Sequence, residues 1–212
     1  MWGDIAIAFL LGLVTAFVVT PFSMRIAKKY GAIDVPNDRR VNKKPMPRLG
    51  GIAVIAGFLV SAIYLIITMR IENNIDFITD GLGKKLLGFL FGAMVLGITC
   101  YIDDVKGISP LVKLAGQLIA AIIVVSCGVR IDNFTIPFKE NSIMINEVIS
   151  YILTIGWIVG ITNAINLIDG LDGLSSGITL IACISMLIIF SLNESPLIAI
   201  ILITALAGAI VG

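Results

Sequence analysis

The sequence contains no histidine, only three cysteines, and 14% charged residues among its 212 positions. Without histidine the chain cannot itself supply a Ser-His-Asp triad or a histidine-ligated metal centre. Cys100, Cys127 and Cys183 each lie inside an apolar block. Their odd number and the lack of a C-x-x-C pair argue against a disulfide framework or a zinc site. Soluble domains carry about 25% charged residues, so this chain is poor in charge of either sign. Its net charge of +1 points to no partner by bulk charge, and no nucleic acid is expected. There is no internal repeat, low-complexity tract or soluble domain; the longest polar stretch is 23–49.

What the chain has instead is apolar length. Hydrophobic residues make up 58% of it. They fall in seven blocks, 4–22, 50–69, 86–101, 111–129, 148–165, 174–192 and 197–212. A membrane-spanning helix needs about 20 apolar residues, so blocks three and seven are short; Lys84 and Lys85 can extend the third by snorkelling. The pattern predicts an all-α, polytopic integral membrane protein of about seven transmembrane helices in a single domain, 1–212. The first block is preceded by Asp4 rather than by a basic segment, so it is expected to be a retained span and not a cleaved leader. Ser109-Pro110 and Ser195-Pro196 read as N-cap plus first-turn proline pairs that open blocks four and seven.

Loop charge sets the expected orientation. Arg25, Lys28, Lys29, Arg39, Arg40, Lys43, Lys44 and Arg48 lie in 23–49, eight of the fifteen basic residues against two acids. Such a loop is expected on the cytoplasmic side. The N-terminus is then outside. By strict alternation 102–110 and 166–173 are also cytoplasmic, and 70–85, 130–147 and 193–196 are outside. Three polar clusters, 34–51, 101–113 and 163–173, are thereby expected at one face. Transporters instead tend to place ionisable groups at mid-membrane.

The first cluster runs from Asp34-Val35-Pro36-Asn37-Asp38-Arg39 to Pro45-Met46-Pro47-Arg48-Leu49-Gly50-Gly51. Its plain reading is a positive-inside anchor. Its prolines stiffen the loop and so hold its arginines. Gly50-Gly51 then open a helix whose N-terminus can meet an anion, such as a phosphate or an anionic lipid headgroup. The second cluster is Tyr101-Ile102-Asp103-Asp104-Val105-Lys106. Two adjacent carboxylates at a helix C-terminus repel each other and oppose the helix dipole; a divalent cation or ammonium groups would relieve the repulsion, and a solvated helix end is the plain reading. Lys113 and Gln117 follow, one turn apart at the start of block four. In the third cluster Asn163, Asn166, Asp169 and Asp172 recur every three residues. Such a row drifts about 60° per step on an α-helix and aligns only in 3₁₀ geometry. Gly170 and Gly173 let the backbone leave the helix there. A cap-and-turn role is the plain alternative. Oxygen-only donors favour Mg²⁺ or Mn²⁺ over zinc.

Taken in order, D-x-P-x-x-R, P-x-P-R-x-G-G, I-D-D, K-L-x-x-Q and N-A-x-N-x-x-D-G-x-D-G-L resemble the polyprenyl-phosphate N-acetylhexosamine-1-phosphate transferases over about residues 20–212. The chain is most similar to the bacterial branch that transfers GlcNAc-1-phosphate to undecaprenyl phosphate, the step that begins teichoic acid and related surface polymers of the cell wall. The resemblance implies a glycosyltransferase of the bacterial plasma membrane, working at the cytoplasmic face. Its substrates are UDP-GlcNAc and undecaprenyl phosphate, its cofactor is Mg²⁺ (or Mn²⁺), and UMP is released. Membrane lipids are the remaining partners, and an oligomer is left open.

Residue by residue, Asp103 and Asp104 match the family's aspartate pair, linked to metal and catalysis. Asn166 matches a metal-binding asparagine, and Lys113 a lysine that meets phosphate. Asp169 and Asp172 fall at the nucleotide-sugar site and complete the catalytic candidates. Asp34, Arg39, Arg48 and Asn163 occupy the other motif positions, and with Lys113 and Asn166 they are the substrate-binding candidates. Asn42 stands where the family usually has histidine. The family also continues past the equivalent of Gly212 with an F-M-G-D segment and a His-rich loop, so the sequence is expected to be roughly the first two-thirds of the usual enzyme. The rival readings are a phospho-MurNAc-pentapeptide transferase, an inactive fragment, and a non-catalytic scaffold or transporter.

Overall fold

A computed structural model of the chain describes residues 2–35, 45–73, 81–135, 142–171, 173–193 and 196–212. It is helical nearly throughout: α1 (Trp2–Tyr30), α2 (Gly50–Asn73), α3 (Gly81–Lys106), α4 (Pro110–Ser126), α5 (Glu147–Ile168), α6 (Leu174–Leu192) and α7 (Leu197–Val211). Two antiparallel ribbons interrupt them, β1 (Ile33–Asp34) with β2 (Met46–Pro47), and β3 (Asn133–Thr135) with β4 (Ser142–Met144). Five helices are long and apolar enough to cross a membrane, while α4 and α7 are shorter apolar helices. A spanning backbone with no water to bond must satisfy itself, and helices do so within one segment. The polytopic all-α architecture is as expected, and the chain is an integral membrane protein.

Some boundaries differ from expectation. The third apolar block is the core of a 26-residue helix, because Lys84, Lys85 and the whole Asp103–Lys106 turn continue the helical path at its ends. α7, of 15 residues, is short as expected, and the other short helix is α4, of 17. Ser109 caps α4 as expected: its hydroxyl accepts from the Val112 amide, and Pro110 opens the helix. At α7 the proline itself, Pro196, is the N-cap residue and the helix begins one position later. Ser195 lies outside the described residues.

The chain packs as two compact units. Unit 1 comprises Met1–Asn74, Tyr101–Gly107 and Leu167–Gly212; unit 2 comprises Ile75–Cys100 and Ile108–Asn166. Unit 1 is built on a seam of small residues, the usual way for helices to approach closely in lipid. A Cβ on Gly208 or Gly212 would strike the backbone of Phe9 or Leu13, and one on Gly57 would strike the Gly12 carbonyl. Ala8, Ala16, Ala205 and Ala209 are buried along the same seam. The pairings 9 with 208 and 13 with 212 make α1 and α7 parallel. The Ser61 hydroxyl donates to the Ala8 carbonyl at 2.9 Å, and the Tyr64 hydroxyl to Asp4 at 3.4 Å, so α2 runs against α1. In unit 2 Gly88 lies against Cys127, Gly92 against Val124 and Gly116 against Thr99, which makes α3 and α4 antiparallel.

Candidate active site at the polar helix ends

In unit 1 the first polar cluster closes on itself. α1 ends at Gly31, with φ +71°, and the Ala32 amide reaches back to the Ala27 carbonyl at 2.9 Å. This helix-stop pattern needs a left-handed residue, which glycine adopts without strain. It turns the chain into β1, where Ile33 pairs with Pro47 and Asp34 with Met46. The Arg48 amide donates to the Ala32 carbonyl at 3.0 Å. Two candidates thereby meet: an Arg48 Nη donates to Asp34 Oδ1 at 2.5 Å, with the arginine side chain 40% exposed and the aspartate 18%. Arginine and carboxylate share a planar geometry that suits this pairing. Arg39 lies outside the described residues. α2 starts at Gly50, as expected.

The second cluster sits in the last turn of α3. Ala27, Ala32 and Leu49 form a small buried core, and Ile52, Tyr101 and Val105 pack against it. Tyr101 and Val105 are one turn apart and so share a face. At 100° per residue Asp103 falls nearly opposite that face and Asp104 on its flank. Both aspartates are half-buried. The Gly107 amide closes the helix on the Asp103 carbonyl at 2.8 Å, and Gly107 has φ +63°. The same unit holds Asp169, exposed in the turn after α5.

The row of residues at every third position does not survive as a row. α5 remains an α-helix through Ile168, so Asn163 and Asn166 lie on it while Asp169 follows its end. Of the two glycines expected to release the backbone, Gly173 takes a positive φ, +75°, and Gly170 does not. Asp172 lies outside the described residues.

Unit 2 brings the K-L-x-x-Q and N-A-x-N motifs together as a two-rung ladder between α4 and α5. The Lys113 ammonium donates to Asn166 Oδ1 at 3.0 Å. One turn further into α4, Gln117 and Asn163 exchange hydrogen bonds: Nδ2 of Asn163 donates to Oε1 of Gln117 at 2.7 Å, and Nε2 of Gln117 to Oδ1 of Asn163 at 3.3 Å. Gln117 is 2% exposed. It is the residue that sequence reasoning noted but left out of the site. Its signal was present, since a glutamine one turn after a lysine in an apolar span needs a polar partner.

As to metal, no group of three or more His, Cys, Asp or Glu side chains able to hold an ion occurs among the described residues. Asp103 and Asp104 fit a Mg²⁺ that takes one or two carboxylates and completes its shell with substrate phosphates and water. The oxygen of Asn166 that would serve as ligand accepts from Lys113; an amide oxygen has a second lone pair to offer.

Fold and site together define a polytopic membrane protein with oxygen-rich, cation-bearing helix ends. The profile of glycosyl transferase family 4 matches residues 86–212, more than half of the chain. The chain belongs to that family. It is 44% identical over 181 residues, 84% of its length, to a Bacillus subtilis protein named probable undecaprenyl-phosphate N-acetylglucosaminyl 1-phosphate transferase, of which the match covers 46%. It is 34% identical over 175 residues to a Mycobacterium tuberculosis decaprenyl-phosphate N-acetylglucosaminephosphotransferase, covering 82% of this chain and 42% of that one. A phospho-N-acetylmuramoyl-pentapeptide-transferase of Desulfitobacterium hafniense is 31% identical over 207 residues, covering 92% and 59%. The chain thus spans less than half of the first two relatives, a smaller share than the expected two-thirds.

Proposed function

We propose that the whole protein transfers GlcNAc-1-phosphate from UDP-GlcNAc to undecaprenyl phosphate and releases UMP. The observation that carries this reading is the Lys113–Asn166 contact, 3.0 Å long between residues 53 apart in sequence. It seats a cation beside an amide at a helix end, where a phosphate can be bound. The names of the B. subtilis and M. tuberculosis relatives support the donor sugar and the polyprenyl acceptor. The lower identity to the pentapeptide transferase favours GlcNAc over phospho-MurNAc-pentapeptide.

In this reading Lys113 neutralises phosphate charge and Arg48 binds a phosphate by exchanging or sharing its Asp34 partner. Asn163, Asp169 and Asp172 orient the nucleotide sugar. Arg39 belongs to the acceptor side. Asp103 and Asp104 would hold a divalent cation, Mg²⁺ or Mn²⁺, which offsets charge on the diphosphate when bound, and the family resemblance alone adds Asn166 as a further metal-binding candidate. The acceptor needs no strong base, since a phosphate monoester has a second pKa of about 6 and is mostly dianionic at neutral pH. The aspartate pair is therefore assigned to charge and position rather than to proton abstraction. The site is assigned to the cytoplasmic face because eight of the fifteen basic residues lie in 23–49. Teichoic acid or another surface polymer is the product's destination.

The test is UMP release by the full-length protein in membranes supplied with undecaprenyl phosphate and either UDP-GlcNAc or UDP-MurNAc-pentapeptide. Turnover with UDP-GlcNAc, lost on chelation of divalent cations and restored by Mg²⁺, is expected. Turnover with the pentapeptide donor alone overturns the substrate, and solute flux without UMP release overturns the reaction class. Wild-type turnover and Mg²⁺ dependence in Asp104→Ala would refute the role given to the aspartate pair.

A further inference from the structure

The connection between α4 and α5, in unit 2, takes no part in the proposed reaction, and it is built to lie against α5. Four contacts fasten it there. Arg130 donates to Glu147 Oε1 at 2.7 Å and pairs with Asp132 at 2.9 Å. Its guanidinium stacks over the Tyr151 ring at 5.3 Å. The Ser150 hydroxyl donates to Asp132 Oδ1 at 3.2 Å, and the Ile131 amide donates to Thr154 Oγ1 at 2.9 Å. Ser150 and Thr154 are buried beneath it. The Ile145 amide donates to the Asp132 carbonyl at 2.9 Å, which extends the β3–β4 ladder to this anchor.

The anchor sets the depth. Glu147 to Thr154 spans the first two turns of α5, about 10 Å along its axis. The whole helix is about 33 Å long, close to the roughly 30 Å hydrocarbon thickness. The base of the ribbon thus lies in the headgroup–acyl boundary. Among the described residues its cation is Arg130, which stands between two carboxylates, and that lowers the cost of placing it there. Beyond the base, Phe134 and Ile143 are directly opposed across the two strands and are 56% and 52% exposed. On α5 itself Val148, Ile149 and Ile152 are exposed as well, on the side of the helix away from the Glu147, Ser150, Tyr151 and Thr154 face that the ribbon grips.

We infer that the β3–β4 hairpin is an interfacial foot, whose Phe134–Ile143 pair is immersed among bilayer lipids at the end of α5 opposite the Lys113–Asn166 contact. Interfacial segments bury their apolar face about 5–10 Å into that boundary. The surface is partnered by lipid, not by a second copy or a soluble protein.

The experiment is depth-dependent quenching on the full chain in phosphatidylcholine vesicles. Trp2→Phe and Trp157→Phe remove the native indoles, and Phe134→Trp introduces the probe. The expected result is blue-shifted emission that loses most of its intensity in lipids brominated near the headgroup end of the acyl chain. The loss is smaller with bromine at the chain terminus and slight with aqueous acrylamide. Quenching by acrylamide as free as that of a small indole in water, with none from bromolipid, overturns the inference. Protection from both quenchers overturns it too, because protein then covers the hairpin. Ile143→Trp in the same background is the second probe if the first variant does not fold, and it must give the same pattern.

Discussion

The Gln117–Asn163 amide pair should act as a measurable clasp between α4 and α5, and the two partners should not cost the same when removed. The pair makes one good hydrogen bond, 2.7 Å, and one long one, 3.3 Å. Interhelical hydrogen bonds in membranes average about 0.6 kcal/mol and reach about 1.7, which makes the pair worth about 1 kcal/mol. Gln117→Leu leaves Asn163 half-buried but still donating to the Val159 carbonyl at 2.8 Å, so a loss of about 1 kcal/mol is expected. Asn163→Leu strands Gln117, which is 2% exposed and whose hydrogen bonds among the described residues go to Asn163. A buried unsatisfied group costs about 1–3 kcal/mol, so this variant should lose more. The double variant should lose less than the sum, by a coupling of about 1 kcal/mol. Reversible unfolding of the full chain in mixed detergent micelles measures all three. Strict additivity, or a greater loss from Gln117→Leu than from Asn163→Leu, would refute the reasoning. A displaced α4–α5 register would also separate Lys113 from Asn166, so the coupling should reappear in turnover.

Other perturbations follow from the same geometry. Gly208→Ala drives a methyl into the Phe9 backbone and should cost about 1–3 kcal/mol by overpacking, whereas Gly156→Ala meets nothing within 4 Å and should be neutral or stabilise by up to about 1 kcal/mol; thermal unfolding compares them. Arg48→Ala breaks a partly exposed ion pair worth about 0.2–1 kcal/mol by the measure of surface pairs, so turnover in the UMP assay should fall far more than stability, and parallel losses would sink the substrate role. Arg130 is held above its ordinary pKa, chiefly by its hydrogen bond to Glu147. A raised pKa stabilises below the unfolded value and is lost only as pH rises through the folded one, so the hairpin anchor should hold unchanged through alkaline pH. A tryptophan at position 134 that becomes water-accessible near pH 9–10, well under the range in which a guanidinium titrates, would contradict that.

Much of the fold was legible because lipid leaves few alternatives. A run of about 20 apolar residues must satisfy its own backbone bonds, so all seven helices were visible as blocks. Most of their ends were legible to within a few residues, but the C-terminus of α1 and both ends of α3 were not. Lys84, Lys85, Asp103 and Asp104 are polar, and a hydrophobicity count stops at them, but the helical hydrogen bonds of α3 do not. The cap at Ser109 was readable because serine followed by proline is a local signal, and the seam of Gly12, Gly57 and Gly208 was unread because close approach depends on which helix lies opposite.

The chemistry of the site was legible as residue types and much less as partners. Asp34 and Arg48 were both expected to meet substrate, yet a two-residue ribbon fourteen positions long in closure puts them on each other. The 163-166-169-172 spacing lines up only in 3₁₀ geometry, but α5 holds α-geometry to Ile168, with Asp169 past its end and Asn163 and Asn166 on it. Those two sit 100° × 3, or about 60° short of a full turn, apart. That offset is what lets them address two different residues of α4, Lys113 and Gln117, which are themselves one turn apart. The alignment expected of a ligand set is therefore replaced by an interhelical ladder. Three-residue spacing in a membrane helix specifies a stripe that another helix can read, and the partner it needs is a neighbouring helix with polar groups at four-residue spacing, as the K-L-x-x-Q segment supplies.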